Sequence, residues 1–180
     1  MPSLADTFAT ARSLDAFIAD AVENQALWRA NRSRASVPAA VTERATGLPG
    51  AWRLLIIAED WCGDAVNTVP LIVALAEAVP GWDARVIGRD AHPALMDDFL
   101  TNGARAIPIV IVLDELGEVR GRGGPRPAVL QAWVKGPGQA LDKAARYKEV
   151  RTWYVRDRGA TTWQELLDVV EAGARVPSTA

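Results

Sequence analysis

Cysteine and histidine are nearly absent: among 180 residues there is one of each, Cys62 and His92. A single cysteine excludes an internal disulfide and a Cys-based metal cage. A single histidine excludes His-rich metal sites and leaves a Ser-His-Asp triad without support, so no metal is expected. Charge of one sign is also not in excess, with 20 Lys+Arg against 22 Asp+Glu and a net charge of −2. That balance gives no electrostatic reason to expect nucleic acid. Long apolar runs are missing too. The stretch 65–79 is broken by Asn67, Pro70 and Glu77, and 106–113 falls short of the roughly 20 residues that cross a bilayer, so no membrane partner is expected. Met1-Pro2-Ser3-Leu4-Ala5-Asp6 has neither a basic n-region nor an apolar h-region, and a cytoplasmic location is the expectation.

What is present is ordinary for a globular chain, 49% hydrophobic and 23% charged residues. The length suits one domain with helical additions. Apolar residues at Leu14, Phe17, Ile18, Ala21 and Trp28 predict one helix over 13–32, with Ser13 as N-cap. The polar stretch 33–50 has room for one short helix. Arg53 to Ala58 is an apolar run that suits a strand buried on both faces. Cys62 to Val79 reads as a helix kinked at Pro70.

Ala84 to Gly88 reads as a strand and Pro93 to Leu100 as a helix closed by Asn102-Gly103. Ile109 to Leu113 is the most β-like run, leading through a Gly117 turn into a hairpin strand 118–122. After the loop 123–127 comes a helix, Ala128 to Val134, and Gly136-Pro137-Gly138 breaks the chain. Two helices follow, one striped by Leu141, Ala144, Tyr147, Val150 and Tyr154. The other opens on a capping-box pattern, Thr162-x-x-Glu165, and carries Trp163, Leu166, Leu167 and Val170 on one face. Strands separated by helices imply parallel pairing, with the last hairpin as an antiparallel edge. The fold class is an α/β sandwich.

Glu59-Asp60-Trp61-Cys62-Gly63-Asp64-Ala65, between a buried strand and a helix, resembles the thioredoxin active-site turn Trp-Cys-x-x-Cys. Pro70, the segment Gly103 to Pro108 before a β-run, Gly117-Glu118 and Gly124 agree with the same family. The flanks, through Arg89-Asp90, 96–103, 124–127 and Trp153-Tyr154, resemble a bacterial branch with helical extensions. The resemblance implies a thioredoxin-like sandwich, a central mixed sheet flanked by helices, with extra helices at both termini. It divides the chain into an N-terminal helical extension (1–50), a thioredoxin-like core (51–136) and a C-terminal helical extension packing on the same domain (137–180). Two positions depart from the family. Ala65 replaces the second cysteine, and Ile56 stands where thioredoxins keep a buried acid, so dithiol exchange within one chain is chemically impossible.

Monothiol thiol–disulfide chemistry through Cys62 remains the leading expectation; if active, the chain would be a monothiol oxidoreductase. A helix N-terminus favours the thiolate, whereas the charge of Asp64 opposes it. Trp61, Gly63, Asp64, Ile107 and Pro108 would position the substrate, and the resemblance implies a cis Ile107-Pro108 bond beside the sulfur. Trp61 reads equally as a core-filling residue and Cys62 as a packing residue. Partners would be a protein disulfide or a low-molecular-weight thiol as co-substrate. Arg89 and Arg105 are candidate contacts to that thiol's carboxylates, or solvated surface, and Arg89-Asp90 reads also as a local ion pair. No tightly bound cofactor is implied. Two alternatives stand beside this reading: a non-catalytic protein-binding scaffold, and a redox sensor forming a homodimer through Cys62 on oxidation.

Overall fold

The computed structural model describes residues 3–176. Met1-Pro2, part of the N-terminal reading above, and the last four residues of the 137–180 extension lie outside them. Short helices open the chain: Leu4–Thr10 (α1), Leu14–Asp20 (α2), Gln25–Arg34 (α3) and Ala39–Thr46 (α4). The Oγ of Ser13 accepts from the N–H of Ala16, as expected of the cap. The single helix expected over 13–32 is two. The break at 21–24 has a long-range cause: the Asp60 carboxylate accepts from the N–H groups of Val22 and Glu23 at 2.7 and 2.8 Å. Asn24 turns left-handed there and donates its side-chain N–H to the Asp60 carbonyl.

Arg53–Ala58 (β1) is buried from Leu54 onward because it takes neighbours on both edges and both faces. Helix Ala65–Ala78 (α5), with Pro70 inside it, connects β1 to Asp83–Gly88 (β2), which pairs with β1 in parallel. Pro93–Asp98 (α6) precedes Ile109–Leu113 (β3). The sheet order is β2-β1-β3-β4, where β4 is Val119–Gly123. The parallel pairing expected of every helix-separated strand fails at β3, which runs antiparallel to β1. The physical reason is the connection. Strand β2 ends at the same edge of the sheet where β3 begins, and a six-residue α6 does not carry the chain back across it. Asn102-Gly103 does not cap α6, which closes at Phe99; it forms a separate turn between bridged Thr101 and Ala104. The hairpin to β4 carries a register shift at Val112/Leu113.

Ala128–Lys135 (α7), a 3-10 turn at Pro137–Ala140, Lys143–Asp157 (α8) and Ala160–Ala174 (α9) complete the chain. Leu141 lies ahead of α8 and is exposed, while Val150 and Tyr154 are buried. The capping box expected at Thr162-x-x-Glu165 is not formed. Helix α9 opens three residues earlier, with Gly159 at its N-cap, and the Glu165 carboxylate instead accepts from the N–H of Ala128 at the start of α7. One hydrophobic core joins Phe8 of α1, strands β1 and β3, helix α5 and Val170 of α9. Leu130, Val150 and Tyr154 form a smaller cluster between α7 and α8.

Candidate functional site

The sequence places Cys62 at the edge of the sheet where β1 ends and β3 begins, because both strands must pass the same corner. Helix α5 starts three residues later, at Ala65. The sulfur accepts the N–H of Ala65 at 3.4 Å and lies 3.5 Å from the carbonyl of Ile107, to which the thiol donates. Ile107-Pro108 is cis, so the expected juxtaposition of Cys62 with this loop is present. Gly124 lies against it: a Cβ at Gly124 would stand 2.2 Å from the Pro108 carbonyl oxygen.

Cys62 is only 6% exposed. Burial pushes its thiol above the ordinary value, the N–H of Ala65 pulls it back, and the charge of Asp64 pushes it up again. The helix terminus therefore does not win. Asp64 has moved inward: it is buried, accepts the hydroxyl of Tyr154 at 2.9 Å and pairs with the Arg126 guanidinium at 2.6 Å. Burial, followed by the Asp64 charge, holds the Tyr154 phenol far above its usual range. Trp61 and Gly63 are exposed. The Arg89 guanidinium lies 4.8 Å from the Trp61 ring centroid, which gives the indole a cationic cover rather than a core position.

The turn is gripped from both ends of the chain. Its Asp60 carbonyl accepts the indole N–H of Trp28, a fully buried residue of α3, while Tyr154 reaches Asp64 from α8. Both candidate thiol-contact arginines are already engaged. Arg89 pairs with Asp90 at 2.8 Å and donates to the Arg105 carbonyl, and Arg105 forms a two-pronged pair with Asp97 at 2.6 Å. His92 occupies the N-cap position of α6, with Nδ1 3.0 Å from the Gly88 carbonyl. Two residues given no role in the sequence reading, Arg126 and the hydroxyl of Tyr154, complete the site. The sequence signal for Arg126 was its place in the 124–127 segment of the family resemblance, which gave it no chemical role. A cavity of about 690 Å³ opens beside this corner, walled by Pro108, Arg126, Ile72, Val110, Leu166 and Val169 among others. Among the described residues, no group of His, Cys, Asp and Glu is arranged to hold a metal, and no helix is long and apolar enough to cross a membrane.

The family model described as Thioredoxin matches residues 11–150. The chain belongs to this thioredoxin family. A crystal structure of a protein of unknown function, PA1234 from Pseudomonas aeruginosa, superposes with a TM-score of 0.76 at 23% identity, covering 95% of this chain and 98% of that one. An HIV epitope-scaffold superposes with a TM-score of 0.74 at 21% identity, covering 94% and 98% of the respective chains. Both likenesses concern the fold alone. No curated protein matches the chain. In this thioredoxin-family chain the strand–turn–helix corner that carries Cys62 lies against a cis peptide, and Ala65, which opens the helix, is fully buried.

Proposed function

We propose that this thioredoxin-family chain acts by binding, and that Cys62 is held as a neutral thiol rather than kept ready as a nucleophile. The observation that supports this reading is the state of the cysteine: buried, hydrogen-bonded to the Ile107 carbonyl, and next to the carboxylate of Asp64. A thiolate there would lose its hydration and face a like charge. The cavity beside Pro108 has the volume of a small-molecule site and a largely apolar wall.

Alkylation of Cys62 by iodoacetamide tests the reading, followed by mass against pH for folded and urea-unfolded chain. The folded thiol is expected to react at least about tenfold more slowly at pH 8 and to titrate above the ordinary value of about 8.5. Linkage gives the sign for stability. A raised folded pKa contributes stability that is complete below the unfolded thiol value and declines as pH rises through the folded one. Cys62→Ala is therefore expected to flatten that part of an alkaline melting profile.

Monothiol exchange with a low-molecular-weight thiol or a protein disulfide is the second reading. The contact between the Cys62 sulfur and the Ile107 carbonyl and the exposed Trp61 favour it. A folded thiol that titrates below pH 8 and outpaces the unfolded chain would establish this reading and remove the first. A disulfide between two Cys62 residues would require each turn to open, since each sulfur lies beneath its own loop.

A further inference from the structure

A second hollow, about 250 Å³, lies between α7, the 3-10 turn and α8. Its wall holds four cations, Arg126, Lys135, Lys143 and Arg146, together with Gln139 and Tyr147, and no carboxylate. Among the described residues, Lys135, Lys143 and Arg146 form no ion pair. Arg126 gives one Nη to Asp64 and the other to Gln131, and its buried Nε has no hydrogen-bond partner. Lys143 and Arg146 stand in the first turn of α8, the end of a helix that disfavours cations. Asp142, next to Lys143, caps that turn through the Ala145 N–H, and neither it nor Glu149, three residues past Arg146, is part of the wall. Three positive groups without an internal counter-charge, Lys135, Lys143 and Arg146, beside an Arg126 whose Nε is unpartnered although its Nη is paired with Asp64, call for an external anion.

Arg126 and Lys135 also line the 690 Å³ cavity. The two carboxylates of that cavity are engaged elsewhere: Glu165 accepts the Ala128 N–H, and Asp168 pairs with Arg44. Thr162, 8% exposed, lines it with a hydroxyl that makes no hydrogen bond. We propose that the two hollows form one site for an anionic amphiphile. Its phosphate or carboxylate head would sit among Arg126, Lys135, Lys143 and Arg146, and its hydrocarbon body in the cavity beside Pro108. This assignment rests on the binding reading above and names its ligand class.

Calorimetric titration of the full chain with octyl phosphate tests it, with inorganic phosphate and octyl glucoside as separate head and tail probes. One saturable site is expected, with octyl phosphate at least about tenfold tighter than either probe. The surface double variant Lys143→Glu/Arg146→Glu should weaken octyl phosphate by about tenfold or more. Ala132→Trp, at an exposed position on the cavity wall, should weaken octyl phosphate yet leave inorganic phosphate unchanged. Affinity within about twofold of wild type in the charge-reversed variant overturns the site. So does octyl glucoside binding as tightly as octyl phosphate, or binding only to phosphatidylglycerol vesicles and not to monomeric octyl phosphate. The two readings fail separately: a reactive Cys62 with octyl phosphate binding intact removes the non-catalytic reading alone, whereas an inert Cys62 without binding removes the amphiphile site.

Discussion

Arg126→Met is expected to lower the unfolding free energy by about 3 kcal/mol, because breaking a buried pair strands the remaining charge. Asp64 carries that charge with 8% of its side chain exposed, and Arg126 is 19% exposed, so water replaces little of the lost contact. Among the described residues, Tyr154 would remain as the only side-chain donor to the carboxylate. The control is the double variant Arg126→Met/Asp64→Asn, in which the neutral amide can still accept the phenol. It should return to within about 1 kcal/mol of wild type, since removing both charges is often close to neutral. Urea unfolding of the two single variants and the double variant checks the cycle. A loss below about 1 kcal/mol in Arg126→Met would mean that Asp64 reaches solvent or gives up its charge.

Gly124→Ala is expected to be as damaging by an unrelated route. Gly124 has φ +99°, where an L side chain is strained, and a Cβ there would lie 2.2 Å from the Pro108 carbonyl oxygen. The obstructing atom is backbone next to the start of β3, so no rotamer change relieves it. Overpacking and positive-φ strain together predict a loss of about 3 kcal/mol or more. Gly103→Ala is the comparison: it also has a positive φ, 77°, but no atom near the added carbon, and should cost about 1 kcal/mol. Thermal melts of both variants would separate the clash from the conformational cost. Equal losses would assign the effect to φ alone.

Much of the fold was legible because its causes are local. Runs such as Arg53 to Ala58 and Ile109 to Leu113 have nowhere to go except a sheet interior, and the Ser13 hydroxyl lies close to the N–H that it caps. What could not be read depended on distant partners. The split between α2 and α3 needs the Asp60 carboxylate from 37 and 38 residues away. Glu165 satisfies a local capping pattern on paper but is claimed by Ala128 of α7. The direction of β3 followed from the edge at which its connection returns, which composition does not encode.

The candidate site divides in the same way. Cys62, Trp61 and the Ile107-Pro108 loop were found through the family resemblance, and the structure brings the sulfur and that loop together. The chemical state of the thiol was not legible. It depends on how deeply the turn is buried and on where Asp64 finds its counter-charge, and the 124–127 resemblance carried no sign that Arg126 would supply it. Arg105 looked available in sequence because its acidic partner, Asp97, carries no mark of being one, whereas the Arg89–Asp90 pair was legible from adjacency.

The bond from Tyr154 to Asp64, spanning 90 residues, has a consequence for vectorial synthesis. A chain emerging from the ribosome can assemble β1, β2 and β3 once Leu113 is out, yet Asp64 then has neither of its partners. Its guanidinium arrives only with residue 126, and its phenol only when most of α8 has followed. Until that point a carboxylate destined for the interior must stay hydrated, holding open the corner that contains Cys62. The nascent polypeptide is thus expected to pass through an interval in which its one thiol is accessible to oxidants and electrophiles, closed when α8 brings Tyr154.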